Sequence, residues 1–407
     1  MHDLLAGIRV VDLTTVVLGP YATQILADFG AEVIKVEPIA GDVFRAARPG
    51  HSADMGAPFL GCNRNKQSIV LDLRKDEARE VLHRLVRGAD AVVHNMRPKS
   101  AEKLGIGFEQ MKAVKADLVY CFAAGYGQAG RNRDEPAYDD SIQAASGFAA
   151  LNADEGGSPR FAPTLIADKV GGLHLAIALL AGLASRNRDG QAVCIEAPMF
   201  ESIVSFLLVE HMSGLSFDPP LGGAGYSRLL SPYRKPYRTA DGWVGIIPYT
   251  AAHWERFLRL IGREELADSP LVNDPVERSR AIGTLYALIE QATPGRTTSE
   301  WLALLRERDI PCAPVNMLED LTANEHLLDV GMFRRQSHPT EGELVAPRSP
   351  FSVDGDTGDA DVPAPRLGEQ SRSILDRLGY GAQEAEALIA SGAVAAFEGG
   401  PGGAGPE

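Results

Sequence analysis

The chain has 407 residues, which at roughly 150 residues per domain allows two or three packed units. Apolar residues make up 45 % and charged residues 23 %, ordinary globular usage that excludes a disordered chain, a collagen and a coiled coil. The 40 basic and 54 acidic residues leave a formal charge of −14, a poor field for nucleic acid or an anionic membrane.

Further classes fall away residue by residue. No stretch reads as the roughly 20 apolar residues of a membrane span, and Met1-His2-Asp3 lacks the basic start of a signal peptide. Cys62, Cys121, Cys194 and Cys312 stand far apart, so neither a metal clip nor a disulfide framework is expected. A reduced, cytoplasmic protein without a bound metal is the expectation.

Strand and helix signals alternate through the first 125 residues. Ile8–Leu13 is a β-branched run, Gly19-Pro20 opens a helix through Asp28, and Gly30 stops it. Ala31–Val36 predicts a second strand and Ser68–Leu73 a third, followed by an amphipathic helix over Asp76–Val86. Ala91–His94 and Leu118–Ala123 complete the series. Such alternation predicts an α/β fold with a largely parallel sheet covered on both faces.

A helical stretch, Ile142–Leu151, comes next. Val170–Ala184 is apolar nearly all round, which predicts a buried helix. Gly190 turns the chain into a strand over Ala192–Ala197, and Met199–His211 reads as another helix. Residues 213–236 are rich in Gly, Pro and Ser, the texture of a linker. Beyond it, Tyr237–Ile247 reads as a hairpin turning at Asp241-Gly242. Helices are predicted over His253–Ile261, Ser279–Gln291 and Thr298–Arg308, the last with Thr297 and Glu300 as a capping box. The expected organisation is a large domain over 1–212, the linker, a small α+β domain over 237–325, a return to the large domain over 326–398 with short helices at Ser371–Leu378 and Gln383–Ala390, and a frayed tail over 399–407.

Gly125-Tyr126-Gly127-Gln128-Ala129-Gly130 spells G-x-G-x-x-G directly after a strand. A dinucleotide site needs a helix next, because that helix's N-terminus holds the pyrophosphate. Here the charged segment Arg131–Pro136 ends in a proline, so the match is a decoy. Hydrolase elbows, P-loops and metal-ligand spacings are absent from the sequence.

Asp168 stands at the mouth of the long apolar helix, where an aspartate is ordinarily an N-cap. Two features add a second role. The helix is deeply apolar, so the carboxylate lies where water is scarce, and Gly171 and Gly172 leave room for a ligand at the first turn. A helix N-terminus favours negative charge, and an ionised, partly desolvated carboxylate is suited to covalent attack. Arg45, Arg48, Arg64, Lys66, Arg74, Lys75, Arg97, Lys99 and Lys103 cluster near predicted strand ends, where open α/β sheets bind ligands. A polyphosphate would use several of them, at least half being plain surface charge.

In their linked order, several blocks resemble the family III CoA-transferases, a family that also contains the α-methylacyl-CoA racemases. The blocks are Leu5–Leu13 with Gly19-Pro20, Leu26–Glu37, Asn63–Arg74, Ile166–Leu183 with Gly190-Gln191, Pro311–Asn316, and Leu367-Gly368-Glu369. The resemblance implies a Rossmann-like large domain built from both chain ends, a small inserted domain, and an interlocked homodimer. It implies that Asp168 is the nucleophile, forming an aspartyl anhydride and then an aspartyl-CoA thioester while CoA passes between two carboxylic acids. Coenzyme A is thus a substrate thioester, with no cofactor permanently bound.

CoA contacts carry over by resemblance to Val16 after the first strand, Leu71 and Arg74 in the third-strand block, and Asn95, Met96, Arg97 and Lys103 further on. Gly125 and Tyr126 resemble the loop lining the thioester, and Tyr138 and Asp139 the substrate pocket. The racemases have a histidine where this chain has Tyr138, and a small-domain glutamate where it reads Ile246-Ile247-Pro248-Tyr249. Both departures disfavour α-proton exchange, which needs a base on each face. Formyl-CoA–oxalate transferases carry a glutamine where Val17 stands and a Gly-rich loop where Pro248-Tyr249-Thr250 stands, which leaves the acid pair open. A 2-methylacyl-CoA racemase is the alternative reading, with a non-catalytic acyl-CoA binder behind it.

Overall fold

The structure, a computed structural model, describes residues 1–154 and 156–398; the expected frayed tail lies outside them. The chain divides into two units, Met1–Leu207 with the segment from Val330 onward, and Leu208–Asp329.

The first unit is built on strands β1 (Arg9–Leu13), β2 (Glu32–Glu37), β3 (Lys66–Leu71), β4 (Ala91–His94), β5 (Val119–Phe122) and β6 (Val193–Glu196). All pair in parallel in the order β3-β2-β1-β4-β5-β6, with Val10 opposite both Val33 and Ala91. Successive strand residues face opposite sides, so a run such as Val10-Val11 serves two cores. Val11, Ile34, Ile69 and Val92 meet Val81, Leu82 and Leu85 of helix α2 (Asp76–Arg87). On the other face Val10, Val33 and Val93 meet Ala22 and Leu26 of α1 (Leu18–Asp28), and Leu175 and Leu179 of a long helix, Ile166–Asp189. Burial on both faces is why these strands read as continuous apolar runs.

The predicted helix over 142–151 is two helices, α3 (Asp139–Ala145) and Phe148–Leu151, separated at Gly147, whose φ is 86°. Left-handed backbone ends the first helix there. The long helix, α4 (Ile166–Asp189), corrects two further expectations. It is long and apolar enough to cross a membrane, with 56 % of its most apolar window buried. It is also not covered all round, because Leu173 and Ile177 are 45 % and 63 % exposed. Gly171 and Gly172 leave no ligand space: a Cβ there would meet Leu18 Cδ1 and the Leu18 carbonyl oxygen, each at 2.7 Å. They exist so that α1 and α4 can pack closely.

After α4, the helix α5 (Met199–His211) leads toward the second unit. There β7 (Tyr237–Arg238) and β8 (Trp243–Ile246) form a hairpin joined by β9 (Cys312–Pro314). Its core is aromatic, with Trp254, Phe257, Tyr286 and Trp301 fully buried. Thr297 and Glu300 form the predicted capping box. Back in the first unit, β10 (Phe333–His338) and β11 (Gly342–Pro347) make a separate hairpin, and β12 (Val394–Ala395) adds antiparallel to β3. That last strand carries no sequence signal, being two residues long.

Candidate active site

Strand order reverses between β1 and β4, and in open α/β sheets the crevice beyond the strand ends at such a point binds ligands. The crevice is spanned by one side chain. Asn95, just past β4, accepts from the Thr15 N–H at 3.0 Å and donates to the Thr15 carbonyl at 2.8 Å.

Two cavities open beside that crossing. The larger, about 520 Å³, lies over the ends of β1, β2 and β3 and is lined by Leu13, Thr15, Ile39, Leu71, Arg74, Met96 and Leu104 among others. The smaller, about 280 Å³, is lined by Thr15, Val16, Val43, Asn95, Arg97, Gly125, Glu135, Ala137, Tyr138, Asp168 and Met199 among others. Thr15 belongs to both. Of the residues predicted from resemblance, Leu71, Arg74 and Met96 thus meet at the first cavity, and Val16, Asn95, Arg97, Gly125, Tyr138 and Asp168 at the second.

The remaining three stand apart. Tyr126 packs against Phe200 with ring centres 5.3 Å apart and lines neither cavity. Lys103 is exposed on the helix that ends just before Leu104. Asp139 is buried behind the cavity wall, where its Oδ1 accepts the Asp168 N–H at 3.0 Å and its Oδ2 accepts from Gln143 Nε2. Asp139 therefore supplies the acceptor at the start of α4.

Asp168 is the third residue of α4, not its N-cap; Leu165 holds that place without a side-chain hydrogen bond. Asp168 as a residue is 7 % exposed. Burial, with the Asp139 charge beside it, raises its pKa from 3.8 to about 7. The helix N-terminus was expected to keep it ionised, but the dipole contributes only about 0.3–1 kcal/mol, and desolvation outweighs that. At neutral pH the carboxylate stands near half-ionisation: nucleophilic when charged, and poorly solvated in that state.

The predicted basic cluster is mostly spent within the fold. Arg45 forms a buried pair with Glu37, Arg64 with Asp28, and Lys66 with Asp12. Arg74 lies on Asp72, and Lys99 on Asp134. Arg97 and Lys103 are exposed and, among the described residues, in no ion pair.

Gly125 is needed where it stands, because a Cβ would meet Ala137 Cβ at 2.2 Å and force apart two segments of the cavity wall. Its motif is followed by a loop through Pro136, with α3 starting only at Asp139, so no helix N-terminus stands where a pyrophosphate would need one. No histidine lines the Asp168 cavity. Among the described residues, no group of three or more His, Cys, Asp or Glu side chains is placed to hold a metal ion.

Val16 is the strained point. Its φ is 70°, a conformation that costs a β-branched residue about 1–3 kcal/mol and gathers at functional sites. Its N–H donates to Asp42, which pairs with Lys35, and neither of these two residues was singled out from the sequence. One signal existed: a lone lysine inside the apolar run Ala31–Val36, which a strand buried on both faces must pair.

The profile of CoA-transferase family III matches residues 5–371. The chain is 30 % identical over 399 residues to succinyl-CoA:glutarate CoA-transferase of Mus musculus, covering 97 % of this chain and 91 % of that protein. It is 28 % identical to formyl-CoA:oxalate CoA-transferase of Bradyrhizobium sp. strain ORS 278, covering 97 % and 98 %. A solved CAIB/BAIF family protein from Brucella suis superimposes with a TM-score of 0.77 at 28 % identity, over 93 % of this chain and all of that one. With a strand order that reverses beside a buried carboxylate, and a family match running nearly end to end, this chain belongs to the family III CoA-transferases.

Proposed function

We propose that the protein moves CoA from an acyl-CoA donor to a carboxylic acid acceptor, with Asp168 as the covalent carrier. The observation that carries this reading is Asp168, a residue 7 % exposed that lines a cavity and whose carboxylate, among the described residues, accepts no hydrogen bond. An Asp168 oxygen attacks the donor carbonyl, the C–S bond breaks, and an aspartyl anhydride and CoA thiolate result. The thiolate attacks the Asp168 carbonyl carbon, releasing the first acid as a carboxylate and leaving an aspartyl-CoA thioester. The acceptor carboxylate then attacks that thioester to form a second anhydride. The thiolate attacks the acceptor's carbonyl, and Asp168 is freed as a carboxylate. No water enters, so the thioester energy is retained.

The larger cavity, with Leu71, Arg74 and Met96, takes the CoA body in this reading; about 520 Å³ lies within the 300–1,000 Å³ of ordinary ligand pockets, to order of magnitude about right for a substrate arm. Asn95, Arg97, Val16 and Gly125 bracket the thioester, Lys103 meets phosphate from outside, and Tyr138 and Asp139 flank the acid. Tyr126 contributes by supporting the Gly125 loop through Phe200. The enzyme acts as an interlocked homodimer in the cytoplasm, in line with the exposed apolar residues Leu173, Ile177 and Phe206; a monomer in light scattering at micromolar concentration would remove that part. Succinyl-CoA with glutarate is the pair to try first, since it is the pair named for a 30 % identical relative.

The test is intact mass after mixing with succinyl-CoA, with and without hydroxylamine. A CoA-sized, hydroxylamine-labile adduct is expected on the wild type and absent from Asp168→Ala. No adduct with any of a panel of acyl-CoAs, together with α-deuterium exchange that survives Asp168→Ala, would sink the transfer reading.

A further inference from the structure

Three consecutive residues after β1 are each gripped by a side chain. Thr14 gives its N–H and Oγ1–H to Asp12 Oδ1 and receives Lys35 Nζ on its carbonyl at 2.8 Å. Thr15 is held from both sides by Asn95. Val16 donates its N–H to the Asp42 carboxylate at 3.1 Å. Lys35 and Asp42 pair at 3.0 Å with both side chains fully buried, and neither lines either of the two cavities described above. A buried ion pair is weak evidence for stability, because desolvating two charges offsets their attraction. This pair instead has its free valences aimed at a segment that walls both cavities and that takes a positive φ at Val16.

We propose that Lys35 and Asp42 are positioning residues for the transfer site, clamping Thr14–Val16 so that the Val16 wall of the Asp168 cavity is set before the thioester arrives. Lys35 fixes the height of the segment through the Thr14 carbonyl. Asp42 draws the Val16 N–H inward and so holds φ positive against its steric preference. The remaining charges around the pair are already satisfied: Asp12 by Lys66, Thr14 and Thr23, and Glu37 by Arg45 and Ser68. Besides the backbone of the segment, Lys35 faces the Phe59 ring at 5.9 Å and Asp42 accepts the Phe44 N–H.

The proposal rests on the transfer reading, and its test separates the two. Lys35→Met/Asp42→Leu removes both charges together, leaving none buried alone. With succinyl-CoA, its single-turnover rate of adduct formation should fall about 10- to 100-fold, as displacements near 1 Å do, while KM moves less than about threefold. Adding Val16→Gly, which tolerates φ of 70° without strain, should recover at least about threefold. A folded clamp variant with the wild-type rate, or a loss that Val16→Gly leaves untouched, overturns the proposal. If the double variant does not fold, Asp42→Ala removes the acceptor of the Val16 N–H while Lys35 stays on the Thr14 carbonyl; an unchanged rate there overturns it equally. If the wild type forms no adduct with any acyl-CoA of the panel and α-deuterium exchange survives Asp168→Ala, the transfer reading fails and the clamp is judged alone by amide hydrogen exchange over Thr14–Leu18. Exchange about tenfold faster in the variant supports it, and unchanged exchange overturns it.

Discussion

Helix α4 has two ends built to opposite rules. At its C-terminus Gly190 takes the left-handed conformation, φ 63°, and returns its N–H to the Arg186 carbonyl at 2.8 Å. Arg186 there bridges Asp90 and Asp117, a cation at the negative end of the dipole. At the N-terminus Leu165 caps nothing, and Asp168 is desolvated beside a second carboxylate. Lys115 first, and then Arg186, hold the Asp117 pKa down at about 2, whereas burial lifts that of Asp168 to about 7. One helix thus carries an end whose charges are paired and an end whose carboxylate is buried with its pKa raised.

The contrast breaks most sharply at Asp168. Asp168→Ala should lower CoA transfer by at least about 10³-fold, since the proposed mechanism loses its covalent carrier, with circular dichroism unchanged. Arg186→Ala should do the reverse, costing about 1–2 kcal/mol in denaturant unfolding by stripping the cation from Asp90 while Lys115 stays on Asp117, with unchanged turnover per folded molecule.

The sign of the pH effect distinguishes the ends further. A carboxyl whose folded pKa is raised binds its proton more tightly in the native chain, so its contribution falls as pH rises from about 4 through about 7. Asp168→Asn should therefore stabilise the protein by about 4 kcal/mol at pH 8, with the gain vanishing near pH 4. Asp117, with its pKa lowered, works oppositely: its contribution is present above about pH 4 and lost as pH falls through about 2.

For the reaction, kcat/KM should rise with pH about a midpoint near 7, losing about tenfold between pH 8 and pH 6 as Asp168 takes up its proton. Asp139→Asn keeps an acceptor for the Asp168 N–H while removing its charge, so the midpoint should move down. A midpoint that stays put would mean burial alone sets it. The smallest effect belongs to Gly190→Ala, about 1 kcal/mol from the positive φ alone, because nothing lies within 4 Å of a Cβ there.

Much of this was legible in the chain. The alternating runs from Ile8 to Ala123 marked the parallel strands, because a strand buried on both faces must be apolar throughout. Asp168 stood out because a carboxylate at the mouth of an apolar helix is a local signal, as was the proline-terminated loop that disqualified the glycine motif. Gly171 and Gly172 misled: a glycine kept for helix packing and one kept for ligand access look alike until the neighbouring helix is present.

Composition, element order and the family blocks were therefore carried by the sequence itself, since they depend on residues near one another along the chain. Tertiary structure alone decided which charges are spent and which are free. Arg45, Arg64 and Lys66 look like phosphate ligands in one dimension and prove to be buried partners of Glu37, Asp28 and Asp12. It alone brought Asp139 against Asp168 across 29 residues and Asp42 against Val16 across 26. Desolvation and Coulomb energy depend on distance in space and on what excludes water, and neither quantity is written in the order of the residues.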